Sequence, residues 1–475
     1  MKVQASLDRM ACTLAVLALA ALGGYLALNG ALNSDEGFYL LASRLVADGF
    51  HPYRDFGYTQ GPVLPYANVP WLAVFGYNLA GIRLASLGWT LITVLLGVRV
   101  LRRRKSWGAA TTFAVLLLGA PVWMQFAVQG KSYGFTGLAV LAGTMALTSR
   151  ALLGGRWAVF IVAAALGTGA RYPMAGFFLP AWAGLLMLTP GWRARLGAVV
   201  ATVAVAGALL AWAAAGDWES LSYWTAIFHA GSTFAFSRAE QFWYFLVFAP
   251  ALWIAAGLTA SRVTTGDRAT RMAYFALLLG LAANLAGHAA YAEYVFPLVP
   301  ALAFVVAPAL AGWLAGRNTA VAATLTVALL ACAWIHPPDL NPDLLRNARD
   351  ASAFLRAHVG PRDVVACSMP EIPAATGNPV PLTLAMGKFG VTEDMDAAHA
   401  ERLHMATPAS LEAVLRDSGT KAVVISTVLN WNFFWSLPSY RWLSEKARAE
   451  LKQAVTENFT VGYSNADYVV LLRRP

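Results

Sequence analysis

Asp35-Glu36-Gly37-Phe38-Tyr39-Leu40 follows directly on an apolar segment, residues 11–32, and places two adjacent carboxylates at its exit. Arg44, Asp48, His51, Tyr53, Arg54, Asp55, Tyr58 and Gln60 come next, so the connection to the following apolar segment is unusually polar. A carboxylate pair at the end of a hydrophobic helix lies where a lipid-borne group meets water, and intramembrane or juxtamembrane ionisable groups are functional candidates by default.

Working outward, the 475 residues are 58% hydrophobic and 13% charged, which excludes an ordinary soluble enzyme. A helix of roughly 20 apolar residues spans a bilayer. About eleven such segments are expected, near 11–32, 81–101, 107–126, 133–150, 157–170, 173–190, 196–215, 241–260, 272–288, 295–314 and 319–335. Lys and Arg are retained on the cytoplasmic side. One set of connections carries Lys2, Arg9, Arg102, Arg103, Arg104, Lys105, Arg150, Arg156, Arg193, Arg195, Arg262, Arg268, Arg271 and Arg317; the opposite set carries Arg44, Arg54, Lys131, Arg171 and Arg238. The expected topology has a cytoplasmic N-terminus. With an odd number of spans, Asp35, Glu36 and the C-terminal tail then lie outside, in the periplasm of a Gram-negative cell.

The net charge of +10 follows from this topology rather than from a nucleic-acid surface: the tail from residue 337 holds 14 basic and 15 acidic residues, so the excess sits in the membrane part. No basic face on a soluble module points to DNA or RNA. Three cysteines, Cys12, Cys332 and Cys367, do not make a disulfide framework. The first segment lacks a small-x-small cleavage site before the acidic pair and reads as a retained helix rather than a signal peptide.

The expected organisation is a membrane domain over 1–336, with a first outer loop at 33–77, followed by a soluble α/β domain over 337–475. Within the loop, Tyr39, Leu40, Ser43 and Ala47 recur at helical spacing, which predicts an amphipathic helix on the bilayer surface. A second short helix is expected from Gly61-Pro62 through Trp71, since proline suits a first turn. The connection 216–240, with Trp218, Tyr223, Trp224, His229 and Arg238, reads as an aromatic interfacial lid. In the tail, helices are expected over 345–357, 411–417 and 441–455, and strands over 363–367, 421–426, 459–463 and 468–472. No glycine-rich phosphate fingerprint accompanies them.

Asp35-Glu-Gly-Phe-Tyr-Leu40 and Pro52-Tyr-Arg-Asp-Phe-Gly-Tyr-Thr-Gln-Gly-Pro-Val-Leu-Pro-Tyr66 resemble the GT-C class of integral-membrane glycosyltransferases. Within that class the chain is similar to bacterial relatives of the dolichyl-phosphate-mannose-protein mannosyltransferases and of the aminoarabinose (lipid A) transferases. The resemblance covers the membrane region in layout and is specific mainly in the first loop. It implies a polytopic α-helical GT-C fold and a sugar donor on a polyprenyl phosphate. It also implies an envelope glycolipid, glycan or protein as acceptor, and places the catalytic acid/base at Asp35 with Glu36 beside it. Gln60-Gly-Pro62 stands where the aminoarabinose transferases carry Lys-Pro-Pro, so the lysine that helps hold donor phosphate there is replaced. Lys131 and Arg171 are the remaining phosphate candidates.

Sugar transfer from a phosphate carrier needs a base for the acceptor and cations for the leaving phosphate, so no cofactor is required and a divalent metal is optional. Tyr58, Gln60, Tyr133, Tyr172, Glu293 and Tyr294 are candidates to line the sugar pocket, and Glu36, His288 and Glu293 are weak metal candidates. The reading is thus a lipid-phosphate-sugar-dependent glycosyltransferase, hexosyl or pentosyl, of the bacterial inner membrane. A transporter or flippase of lipid-linked sugars and a non-catalytic envelope assembly protein are the rivals. Against transport, the polar residues gather at one surface instead of at midplane helix breaks, and no internal repeat is visible.

Overall fold

The computed structural model describes residues 2–33, 35–149, 152–231, 237–286, 291–332, 335–427, 435–436 and 441–475. The chain is a polytopic α-helical membrane protein with a small C-terminal sheet, and it divides into two compact units. The first comprises Met1–Gly30, Ser86–Leu209 and Phe236–Leu340; the second comprises Ala31–Ala85, Leu210–Ala235 and Asn341–Pro475. The division therefore does not follow the expected boundary after residue 336, because the first loop shares its compact unit with the tail.

In the first unit the apolar segments fold as helices around a core of Ala, Leu, Val and Phe side chains. Among the described residues of the whole chain, six helices are long and apolar enough to cross a membrane: Ser6–Asn29, Leu79–Arg104, Leu153–Ala170, Trp192–Ala214, Arg268–Ala286 and Ala292–Ala315. Two further spans arise if each sharply bent helix pair counts as one. The expected segments 133–150, 173–190 and 319–335 are also helical, but over shorter described stretches, Tyr133–Thr148, Tyr172–Met187 and Ala320–Ala331. The count of eleven full spans is accordingly not reached by length.

The two bent pairs have a common cause. Segments 107–126 and 241–260 each contain a proline, which lacks an amide hydrogen and drives the preceding residue out of helical geometry. Ala120 before Pro121 adopts φ −133°, ψ 63°, and Ala249 before Pro250 adopts φ −147°, ψ 53°. The helices on either side turn by 79° and 85°.

In the second unit, a four-stranded sheet orders Val364–Cys367, Thr420–Ser426, Tyr468–Arg473 and Phe459–Ser464 side by side. The first two are parallel and the remaining pairs antiparallel. The helices Leu344–His358, Pro408–Arg416 and Glu445–Asn458 complete the α/β unit, close to expectation. The last differs at its start: Ser444 accepts from the Ala447 amide at 3.2 Å and so caps the helix there, while Glu393 fixes Ser444 through its amide and hydroxyl, both at 2.7 Å. Arg441–Trp442 is left extended and pairs with Trp435–Ser436.

The helix Glu36–Ala47 buries every residue from Glu36 to Ser43, and Leu45 as well, so it is not the one-sided surface helix expected from its spacing. Its second covered side comes from the short helix Glu371–Thr376, which no local pattern predicts: a Cβ on Gly37 would lie 2.2 Å from Glu371 Oε2. The second loop helix runs Val63–Phe75 with Pro62 at its N-cap. Residues 210–231 are not a free lid either. Trp224 is fully buried and donates from Nε1 to the Leu403 carbonyl at 2.8 Å, and a Cβ on Gly57 would come within 2.3 Å of its ring.

Candidate active site

Glu36 is completely buried, and its carboxylate meets Arg83 in a two-point ion pair: Nε donates to Oε2 at 2.8 Å and Nη2 to Oε1 at 2.7 Å. The Asn33 amide donates to the same Oε1 at 3.0 Å, and Arg83 Nη2 also reaches the Ala31 carbonyl at 3.0 Å. Such a parallel fork fixes position as well as charge. It ties the chain on both sides of residue 35 to the start of the Leu79–Arg104 helix. Asp35 itself is half-buried; its amide donates to Asn33 Oδ1 at 3.1 Å and its carbonyl accepts from the Tyr39 amide at 3.3 Å. Its carboxylate makes no N-cap bond to the helix it precedes. Two adjacent acids thus have different environments, one locked by a cation and one turned away from helix capping.

Farther along the loop, Tyr58 is buried against Phe38, Tyr39 and Phe56, with ring centroids 6.3, 6.2 and 6.4 Å away. Gln60 is half-buried and its carbonyl accepts from the Tyr53 hydroxyl. Tyr53 holds φ 69°, a left-handed backbone rare outside glycine, and is pinned by that bond and by His404 Nε2 at 2.8 Å from its carbonyl. Such over-determined strain is characteristic of functional loops.

In the first unit, Lys131 and Arg171 are both buried and converge on one aromatic ring: Lys131 Nζ lies 5.2 Å and Arg171 Cζ 4.9 Å from the Tyr133 centroid. Arg171 also stacks on Tyr294 at 4.3 Å and donates to Ser132 Oγ at 3.4 Å. Lys131, Arg171 and Glu293 all act electrostatically on Tyr133. Tyr172 opens the short turn Tyr172–Met174 next to Arg171 and is half-buried. Two buried cations, the Glu293 carboxylate and two tyrosine rings thus share one electrostatic cluster. The helix behind it packs without slack, since a Cβ on Gly134 would lie 2.8 Å from the Ala127 and Ser86 carbonyls.

Sequence reasoning brought Lys131, Tyr133, Arg171, Glu293 and Tyr294 forward separately, and the structure groups them. It missed Arg83 and Glu371. Arg83 had a signal, an arginine inside an apolar segment, whereas Glu371 had none. Among the described residues no group of three His, Cys, Asp or Glu side chains could hold a metal, and His288 lies outside them.

At the level of sequence alone, no family model and no curated protein matches the chain. Solved structures do. ArnT from Cupriavidus metallidurans bound to undecaprenyl phosphate is similar at a TM-score of 0.65 and 15% identity, covering 97% of each chain. The same protein in the apo state gives 0.66, again at 15% identity and 97% of each chain. The archaeal oligosaccharyltransferase AglB from Archaeoglobus fulgidus, in complex with an inhibitory peptide and a dolichol-phosphate, aligns at 0.49 and 12% identity, covering 87% of this chain and 69% of its own. The expected helical membrane architecture with a small C-terminal α/β part is the observed one, and over 97% of its length the chain has the fold of ArnT.

Proposed function

We propose that the protein is a membrane glycosyltransferase that moves a sugar from a polyprenyl-phosphate donor to a cell-envelope acceptor on the periplasmic side. The observation that carries this reading is the ArnT fold over 97% of the chain, in a sequence whose Asp35 carboxylate stands beside a fully paired Glu36. Glu36 already accepts three hydrogen bonds and is held by Arg83, so its role is to position residue 35 rather than to take a proton. Asp35 acts as the base. It removes the proton from the acceptor hydroxyl or amine as that oxygen or nitrogen bonds to the anomeric carbon, and the bond from that carbon to the phosphate oxygen breaks. The electron pair leaves with the polyprenyl phosphate, whose charge cationic side chains neutralise, with Lys131 and Arg171 as the candidates. Displacement in one step inverts the anomeric centre. Tyr58 and Gln60 in the second unit, and Tyr133, Tyr172, Glu293 and Tyr294 in the first, are the candidates for sugar contacts, and no step calls for a metal.

The flippase reading draws on the two broken helix pairs, a feature of transporters. Their breaks consist of Gly119, Ala120, Ala249 and prolines, with no ionisable group to bind a substrate or coupling ion. Transfer is tested with purified protein in liposomes, labelled polyprenyl-phosphate sugars and envelope extract. Asp35→Asn is expected to fold normally and to lose transfer by a factor of about 100 or more, the usual scale for a general base; wild-type turnover in this variant removes the proposed base.

A further inference from the structure

A cavity of about 480 Å³ opens within the second unit between the helices Leu344–His358 and Glu371–Thr376 and residues 78–80. Arg346, Arg349 and Arg356 line it from a single helix. Their spacing, three and then seven residues, keeps all three on one face. Each has only a weak or external partner. Arg346 pairs with Asp343 at 2.9 Å and Arg349 with Asp350 at 3.7 Å, in pairs open to solvent, and neither aspartate lines the cavity. Arg356 donates to the Ala375 carbonyl at 3.2 Å. Exposed pairs of this kind contribute little and yield readily to a better anion.

The cavity wall also contains Glu371, 2% exposed, whose Oε1 makes no hydrogen bond of normal geometry among the described residues, with the Tyr468 hydroxyl near its carboxyl. A buried carboxyl oxygen without a donor is costly, and a ligand hydroxyl satisfies it. Asn78 and Ser352 add neutral polar groups to the lining. The combination of several guanidinium groups with one buried carboxyl and neutral hydrogen-bonding side chains suits a ligand that carries a phosphate and hydroxyls together. The volume is within the range of small-molecule sites.

We infer that this cavity binds a phosphate-bearing saccharide, with the phosphate on Arg346, Arg349 and Arg356 and a sugar hydroxyl on Glu371. The site requires no turnover and stands independently of the role proposed for Asp35. Both a soluble sugar phosphate and a phosphorylated glycolipid headgroup carry this chemistry.

Binding is measured on the full-length Asp35→Asn protein in nanodiscs, so that no reaction intervenes, using glucosamine 1-phosphate, inorganic phosphate, glucosamine, and nanodiscs containing or lacking a phosphorylated glycolipid. Glucosamine 1-phosphate is expected to bind at least tenfold more tightly than inorganic phosphate or glucosamine, and to weaken as salt rises. If only the glycolipid binds, with the same dependence on the arginines, the headgroup is the source and the inference stands. Arg349→Gln with Arg356→Gln is expected to weaken binding tenfold or more without moving the unfolding temperature, because both side chains are exposed. Glu371→Gln should reduce the preference for sugar phosphate over inorganic phosphate. Equal affinity for sugar phosphate and inorganic phosphate, or unchanged binding after loss of both arginines, overturns the inference.

Discussion

Glu36 and Arg83 show why a carboxylate pair does not behave as two equivalent acids. A buried ion pair owes its place to geometry rather than to net stabilisation, and removing one partner strands the other charge at a cost of about 3–5 kcal/mol. Arg83→Ala should therefore lower the thermal unfolding temperature in detergent sharply, whereas Arg83→Met combined with Glu36→Leu should recover much of the loss. Equal unfolding temperatures for wild type and Arg83→Ala would show that the fork does not hold the first loop. Glu371 makes a different case. Burial pushes its carboxyl up to about 7, assisted by the Glu36 charge and opposed by its backbone hydrogen bond, by Tyr468 and by Arg83. Between its ordinary value of 4.5 and about 7 the folded state holds more protons than the unfolded one. Stability therefore falls as pH rises through that window and levels off above it, by up to roughly 3 kcal/mol. Glu371→Gln should remove this part of the pH dependence, read from unfolding temperatures at pH 5 and pH 8; an unaltered slope argues against it.

At the scale of elements, glycine decides how closely the helix Glu36–Ala47 is approached. Alanine normally favours a helix over glycine by about 1 kcal/mol. At Gly37 the added methyl would instead press on Glu371 Oε2, where only 2.2 Å is available. Gly37→Ala should be destabilising by about 1–3 kcal/mol, the range for overpacking. Adding Glu371→Ala should relieve it, so the two changes are expected to couple strongly in a double-mutant cycle of unfolding temperatures. Additive effects would mean that the two helices part to admit the methyl. The prolines act at the same scale in the opposite sense: Pro121 and Pro250 turn two hydrophobic segments that read as straight spans into sharply bent pairs.

For the molecule as a whole, the composition of the second unit has a consequence for truncation. Residues 31–85 share one compact body with 341–475, and their Phe38, Tyr39, Leu40, Tyr53 and Tyr58 side chains are buried there. Deleting residues 341–475 removes the Glu371–Thr376 helix and should leave the first loop exposed. Limited proteolysis is expected to cut the truncated protein within residues 36–62 while the intact protein resists, and transfer should be lost with it. A truncated protein as resistant as the intact one would make the tail an independent domain.

Much of this was legible in order along the chain. Runs of apolar residues about 20 long dictate membrane helices because backbone polar groups must be satisfied internally in lipid. Alternating short apolar runs and turns dictated the tail's α/β elements, and the polar run after the first helix marked a connection that folds into short helices. Pairing across long separations was not legible. That Glu36 meets Arg83, that Glu371 closes on Gly37, and that Lys131 and Arg171 share the Tyr133 ring depends on side chains 47, 334 and 40 residues apart. Local spacing records which face of an element is apolar, but not which distant element covers it. Only packing in three dimensions made the expected surface helix a buried one and set a paired glutamate beside a differently placed aspartate.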